Sequence, residues 1–317
     1  MKPEELPHTP EITPYRDGRV AAISLQFDDS MNSQIQNAIP LLAKYKAFAT
    51  FFICPGTGHY KPNAKVWESD VLRAGHEIGN HTLNHKGANS VSEAESEIKG
   101  CSEILTRIYG NRPRLLPFAT PGGVPWKLTA DELEQILVKY RLFATPRREF
   151  FDDANGNPDP CAIPKKALAN RSWIQFGMHG TGGEWLSTSV ANLTRILDFL
   201  TANQTDIWTA PTGTIHQYVT QRSAAEPLQL TQTSSSAFTL ALKCDPKKLP
   251  TYGLPFTTLY TAPLTIRVRV PASWKRFQIV QGKTKPATPT PTQQISGETI
   301  AQFDVLPNRG AVRITKG

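Results

Sequence analysis

Apolar and polar positions follow two different rhythms along this chain, and the change between them comes late. Up to about residue 222, short apolar runs of strand length recur between stretches whose apolar residues are spaced three and four apart. The runs at 20–27, 49–53, 77–81, 115–118, 142–145, 173–178 and 206–209 predict seven strands. Between them, Ser92 with Glu95 and Thr129 with Glu132 have the spacing of a helix-capping box. Ile98, Cys101, Leu105 and Ile108 follow the first, and Leu133, Ile136, Leu137 and Tyr140 the second, each on one helical face. Strands alternating with helices imply a parallel sheet, since parallel neighbours need a crossover, and seven or eight such units can close into a barrel.

After Arg222 the helical spacing gives way to Thr, Ser and Pro and to alternating runs at 238–242, 264–270, 277–280 and 311–314. Such alternation is the signal of half-buried strands. The expectation is an α/β domain over residues 1–223 and a small antiparallel β domain over 224–317, with 285–292 as a long surface loop.

Composition supports a folded protein. With 39% hydrophobic and 20% charged residues, 317 residues can form one large domain or two ordinary ones. No apolar run approaches the ~20 residues of a membrane span, and residues 1–19 are polar, without a signal-peptide core, although a removed leader stays open. Nine Lys or Arg against two acids fall in residues 265–317, so most of the net charge of +8 sits there. A solvated basic face explains it, and with no nucleic-acid module signature nearby, no nucleic-acid partner is expected. Cys54, Cys101, Cys161 and Cys244 are too widely spaced for a zinc ribbon or a redox pair, which leaves the redox compartment open.

Chemistry-bearing residues collect where the predicted strands end, the edge at which parallel barrels place their sites. The first strand ends in Phe27, Asp28 and Asp29, the third in Asn80, His81, Thr82, Leu83, Asn84 and His85, the sixth in Met178, His179 and Gly180. Adjacent carboxylates after an apolar run must be solvated, paired or metal-bound to offset desolvation. Their side chains diverge, so one can hold a metal while the other faces a reacting centre. His81 and His85, four apart, would come to one side of a helical turn and suit a tetrahedral ion such as zinc. A carboxylate from another strand end would complete an open His, His, Asp set. His179 precedes a glycine-rich stretch, Gly180, Gly182 and Gly183, that leaves room for a ligand. His76, before the third strand, is assigned to the core.

Together these residues resemble the polysaccharide deacetylase family, the carbohydrate esterases of the NodB-homology domain. Gln26, Phe27, Asp28 and Asp29 stand where the family has Thr-Phe-Asp-Asp. Residues 81–85 match His-Ser/Thr-x-x-His, and residues 174–179 match the later motif ending in histidine. The resemblance covers residues 19–220 and implies a distorted barrel of seven β/α units. It implies that Asp29, His81 and His85 bind a divalent metal, zinc foremost with cobalt or nickel as alternatives. Asp28 would be general base and His179 general acid, with an acetylated poly- or oligosaccharide as substrate. By the same carry-over the amide of Gly122 is the oxyanion donor. Export from the cell, to an extracellular or periplasmic site, is the expectation.

Two family features are missing. Ala119 stands where an arginine usually pairs with the base, so burial would raise the pKa of Asp28 unless another cation replaces it. Arg147 or Arg148 could supply that charge, or both are solvated. The aspartate that supports the acid histidine has no clear match, although Asp152 or Asp153 could serve. Trp126 and Trp185 could line a sugar-stacking wall or simply pack. Two other functions stay open: a carbohydrate-binding relative whose catalysis is lost, and a hydrolase of another C–N bond such as a cyclic amide. Oligomeric state is not legible.

Overall fold

The computed structural model describes residues 9–317 except 111, 146–147, 155–157, 283 and 285–287. Two compact units make up the chain: one holds residues 21–215 and 252–259, the other residues 9–20, 216–251 and 260–317.

The first unit is built on a parallel sheet of eight strands: β1 (Ala21–Phe27), β2 (Thr50–Ile53), β3 (Glu77–Asn80), β4 (Leu116–Phe118), β5 (Leu142–Ala144), β6 (Glu149–Phe150), β7 (Trp173–Met178) and β8 (Ile207–Thr209). Their order is β5-β4-β3-β2-β1-β7-β6, with β8 also paired to β1. β8 lies along the first half of β1, at Ala21, Ala22 and Ile23, while β2 joins its last residues, Gln26 and Phe27. Among the described residues no ladder joins β5 to β6, so the sheet curves as a distorted, open barrel.

Burial explains why these runs are strands. All seven residues of β1 are buried, as expected of a strand covered on both faces. Phe27, Phe51, Phe118, Phe176 and Trp67 form the core with helix residues such as Ile98, Leu105, Ile136 and Leu197. Helix Ala130–Lys139 starts on the predicted capping box, Thr129 with Glu132. Helix Val91–Tyr109 starts two residues before the predicted cap: Ser90, not Ser92, accepts a hydrogen bond from the Glu93 amide. Both serines have a glutamate three residues on. The earlier start puts Ala94 in the core and leaves Glu95 to meet Lys139 and Tyr140.

Seven of the eight strands lie where the apolar runs predict them. The eighth, β6, is two residues long and carries no periodicity. It pairs in parallel with β7 at Phe176 and Gly177. Gly177 is what makes room, since a Cβ there would stand 2.5 Å from the Phe150 ring.

The second unit has two antiparallel sheets. One orders Glu11–Ile12, Leu264–Arg269, Glu298–Val305 and Gln293–Ile295; the other orders Gln229–Ser234, Ala237–Ala241, Val312–Lys316, Arg276–Gln281 and Thr290–Pro291. Phe238, Trp274, Phe277 and Val268 are buried in this unit, and Phe277 of the second sheet meets Phe303 of the first at 5.9 Å. Residues 9–20, grouped with the barrel on sequence, lie in this unit because Glu11 and Ile12 pair with Arg267 and Ile266. Within 285–292, Thr290–Pro291 pairs with Arg276 and Phe277, and residues 285–287 lie outside the described residues.

Candidate metal and catalytic site

The C-terminal ends of β1, β3 and β7 converge on one cleft of about 780 Å³, lined among others by Asp28, Asp29, His85, Arg148, Phe150 and His179. β1 delivers the two aspartates. Asp28 continues the ladder, its amide donating to the Met178 carbonyl at 3.0 Å, and the chain then turns through left-handed conformations at Asp29 (φ 74°) and Ser30 (φ 56°). Non-glycine residues pay for such angles, and they gather at functional sites. The turn is braced from inside: the buried side-chain amide of Gln34 donates to the carbonyls of Asp28 (2.5 Å) and His179 (3.0 Å), and the Cys54 amide donates to Ser30 Oγ.

His81 and His85 come together by a different route from the helical turn that their spacing suggested. Residues 81–85 form a bent loop with left-handed φ at Thr82 (69°) and His85 (54°). Asn80 accepts from the Thr82 amide at 2.8 Å, and Thr82 Oγ1 accepts from the His85 amide at 3.1 Å. The two rings end 5.0 Å apart. His81 Nδ1 donates to the Ala119 carbonyl at 2.8 Å, a tautomer assigned from that contact, which turns Nε2 toward the aspartates. Ala119 therefore serves the site through its backbone, whatever its side chain.

Asp29 Oδ1 lies 3.4 Å from His81 Nε2 and 3.3 Å from His85 Nε2. It is buried and accepts no hydrogen bond. A buried carboxylate oxygen without a partner is costly, and a bound cation would satisfy it. Ligand atoms of Asp29, His81 and His85 all lie within 4.8 Å of one another. Two imidazoles and one carboxylate fit zinc and similar divalent ions and leave positions free. Burial raises the pKa of Asp29, but the neighbouring imidazoles of His81, His85 and His179 outweigh it and bring it down to about 2. Burial lowers His81, and the charges of Asp28 and Asp29 reverse the balance and raise it. A metal would have to displace that proton, so binding weakens in acid.

Asp28 is paired with Arg148. The guanidinium donates to both carboxylate oxygens, at 2.8 and 2.6 Å, and its Nε donates to Gln26 Oε1 at 2.5 Å. Phe52 and Phe150 flank it, their ring centroids 4.9 and 4.8 Å from its central carbon. Burial alone would raise the pKa of Asp28, yet Arg148, His81 and His179 together hold it below the usual value. The rise expected from the alanine at 119 does not occur, because a cation reaches the base from the residue just before β6. Arg147 lies outside the described residues.

His179 Nε2 lies 4.0 Å from Asp28 Oδ2, and Phe150 stacks on its ring at 5.4 Å. Of the aspartates considered as its support, Asp152 lines the same cleft and accepts from the Ala154 amide, whereas Asp153 accepts from the Ser189 amide and the Asn192 side chain. Gly122 lines the same cleft. Trp185, 45% exposed, also lines it, and its indole N–H donates to Asp29 Oδ2 at 3.0 Å. Trp126 is half-buried and meets the edge of Phe118 rather than the cleft. His76 is in the core, accepting from the Ala49 amide. Sequence reading missed Gln34, Phe52 and Phe150 as supports; each acts through a contact distant in sequence, and local spacing carries no sign of it.

The family described as polysaccharide deacetylase matches residues 16–141. The peptidoglycan-N-acetylmuramic acid deacetylase PdaC of Bacillus subtilis is 36% identical over 103 residues, 32% of this chain and 21% of that protein, so the chain spans about a fifth of that relative's length. A peptidoglycan-N-acetylglucosamine deacetylase of Bacillus cereus is 35% identical over 182 residues, 55% of this chain and 79% of that one. The solved structure of Bacillus subtilis PdaC aligns at 23% identity over 64% of this chain and 94% of its own, with a TM-score of 0.46. Matched through most of a relative's length, and carrying aspartates and histidines in the family's order, this chain belongs to the polysaccharide deacetylase family.

Proposed function

We propose that this protein is a metal-dependent hydrolase that removes acetyl groups from an N-acetylated glycan. The observation that carries the reading is the orphaned Asp29 Oδ1 between two imidazole nitrogens, one residue from an ionised Asp28 and across the cleft from His179.

A divalent ion held by Asp29, His81 and His85 would supply Lewis acidity, lowering the pKa of water toward ~7 and drawing electrons from the acetyl carbonyl. Asp28, kept ionised by Arg148, takes a proton from the attacking water. Two of its four lone-pair directions stay free after the bidentate contact, so it can still accept. The Gly122 amide, on the cleft wall, is the donor assigned to the carbonyl oxygen as charge develops there. His179, as general acid, gives a proton to the departing amine, and acetate leaves. An amine is a poor leaving group until protonated, so an acid in this place is most useful for an N-acetyl substrate. The bacillar relatives are named for acetamido sugars of peptidoglycan, which supports the same substrate class, and export of the protein to such a polymer is part of this proposal.

Arg148 weakens the alternative of a binding module with lost catalysis, since the base keeps a cation despite Ala119. The test is acetate release from N-acetylglucosamine oligomers and from peptidoglycan, with and without a chelator. Release that stops on chelation and returns with zinc is expected. Zinc binding with no acetate from any acetylated glycan would favour the binding module.

A further inference from the structure

Residues 180–188, the loop after His179, are wound tightly and fastened to the turn that carries the aspartates. Gly182, Glu184 and Leu186 have left-handed φ (69°, 60° and 46°), two of them without the licence of glycine. The Gly180 amide donates to the Trp185 carbonyl, the Gly182 amide to Thr188 and the Thr188 amide to Gly180. At Gly180 a Cβ would stand 1.9 Å from the Gly183 carbonyl oxygen, so the winding needs glycine there.

Two adjacent side chains make the fastening. The Glu184 carboxylate accepts from the amides of Asn32 (2.9 Å) and Ser33 (3.2 Å) and from the Ser33 hydroxyl. Ser33 Oγ in turn accepts from the Thr181 amide at 3.0 Å. With the loop fixed in this way, Trp185 sends its indole N–H to Asp29 Oδ2, while Oδ1 keeps no hydrogen bond and faces both histidines. The two oxygens of one carboxylate are thereby made unequal. The ring of His59 meets the Trp185 indole edge-on at 4.8 Å, which fixes its plane.

We propose that Trp185 is a positioning residue for the metal ligand Asp29: its N–H holds Oδ2 and so presents Oδ1 as the coordinating atom. This rests on the metal reading of the site and deepens it, since it gives the tryptophan a task separate from lining a sugar wall. Partners that orient a ligating carboxylate typically contribute 10- to 100-fold in metal affinity.

Trp185→Phe keeps most of the aromatic face and removes only the donor. Zinc affinity is measured by competition with a chelator for wild type and W185F, together with melting of the metal-stripped proteins. The expected result is a zinc Kd about 10 to 100 times weaker in W185F and an unchanged melting temperature of the stripped protein. Wild-type zinc affinity in W185F would overturn the proposal while leaving the metal site standing. So would a fall in stripped-protein stability that accounts for the loss. A wild-type protein that binds no zinc at all would remove the metal reading together with it.

Discussion

Arg148 decides the state of the candidate base. Its guanidinium is buried against Asp28, and the pair is worth keeping only as a pair, because removing one partner strands the other charge. Without Arg148, burial is the largest influence left on Asp28 and acts upward. R148A should therefore move the acidic limb of kcat/KM to higher pH and lower its plateau, by about 10- to 100-fold if one charge-assisted contact is the measure. R148K should recover part of it, since a point charge cannot make the forked contact. An acidic limb unmoved in R148A would show that Asp28 is not the group titrating. Glu77 makes a stability prediction of opposite sign. Burial pushes its carboxyl up to about 7, against hydrogen bonds from Thr50 and Gly213. Between about 4.5 and about 7 the folded chain holds a proton that the unfolded chain has released. Stability should thus be greatest below that window and fall as pH rises through it. Thermal melts from pH 5 to 8 check this, and E77Q should flatten the slope.

Among elements, those whose partners lie nearby in sequence were legible, and those made by distant contacts were not. The apolar runs located seven strands, and Thr129 with Glu132 located a helix start, because burial and capping act on neighbouring residues. T129A should cost about 1 kcal/mol, read as a lower urea midpoint at unchanged slope. The two-residue strand Glu149–Phe150 left no signal of its own, since its position depends on the space opened by Gly177. It matters nonetheless: it starts one residue after Arg148 and carries Phe150, which touches both that guanidinium and His179. Likewise His81 and His85 lie together by a local route other than the helical turn that their spacing suggested. A loop with two left-handed residues, rather than a helical turn, brings the rings together, and such an angle at a β-branched threonine is one that propensity disfavours.

At the scale of the whole chain, the change in texture near residue 222 marked the β-rich part, but not the residues that the N-terminal segment adds to it. Tyr218 accepts from the Thr265 amide and donates to the Thr13 carbonyl, and Gln221 donates to the Ala262 carbonyl. A chain cut after Ser223 keeps Thr13 and Tyr218 and loses the strand Leu264–Arg269 that pairs with Glu11–Ile12. That cut should yield a protein that associates or precipitates, seen by sedimentation, rather than a free monomeric barrel; a stable monomer would show that the β unit is dispensable for folding. The candidate site lies wholly within the other unit, where three strand ends meet. There, Asp29, His81 and His85 are proposed to share one divalent ion. Crystals of the full chain grown with zinc, with anomalous data collected on either side of the zinc edge, test this directly. One peak bounded by Asp29 Oδ1, His81 Nε2 and His85 Nε2 is expected. An empty map at that place, or these side chains turned away from one another, would contradict it.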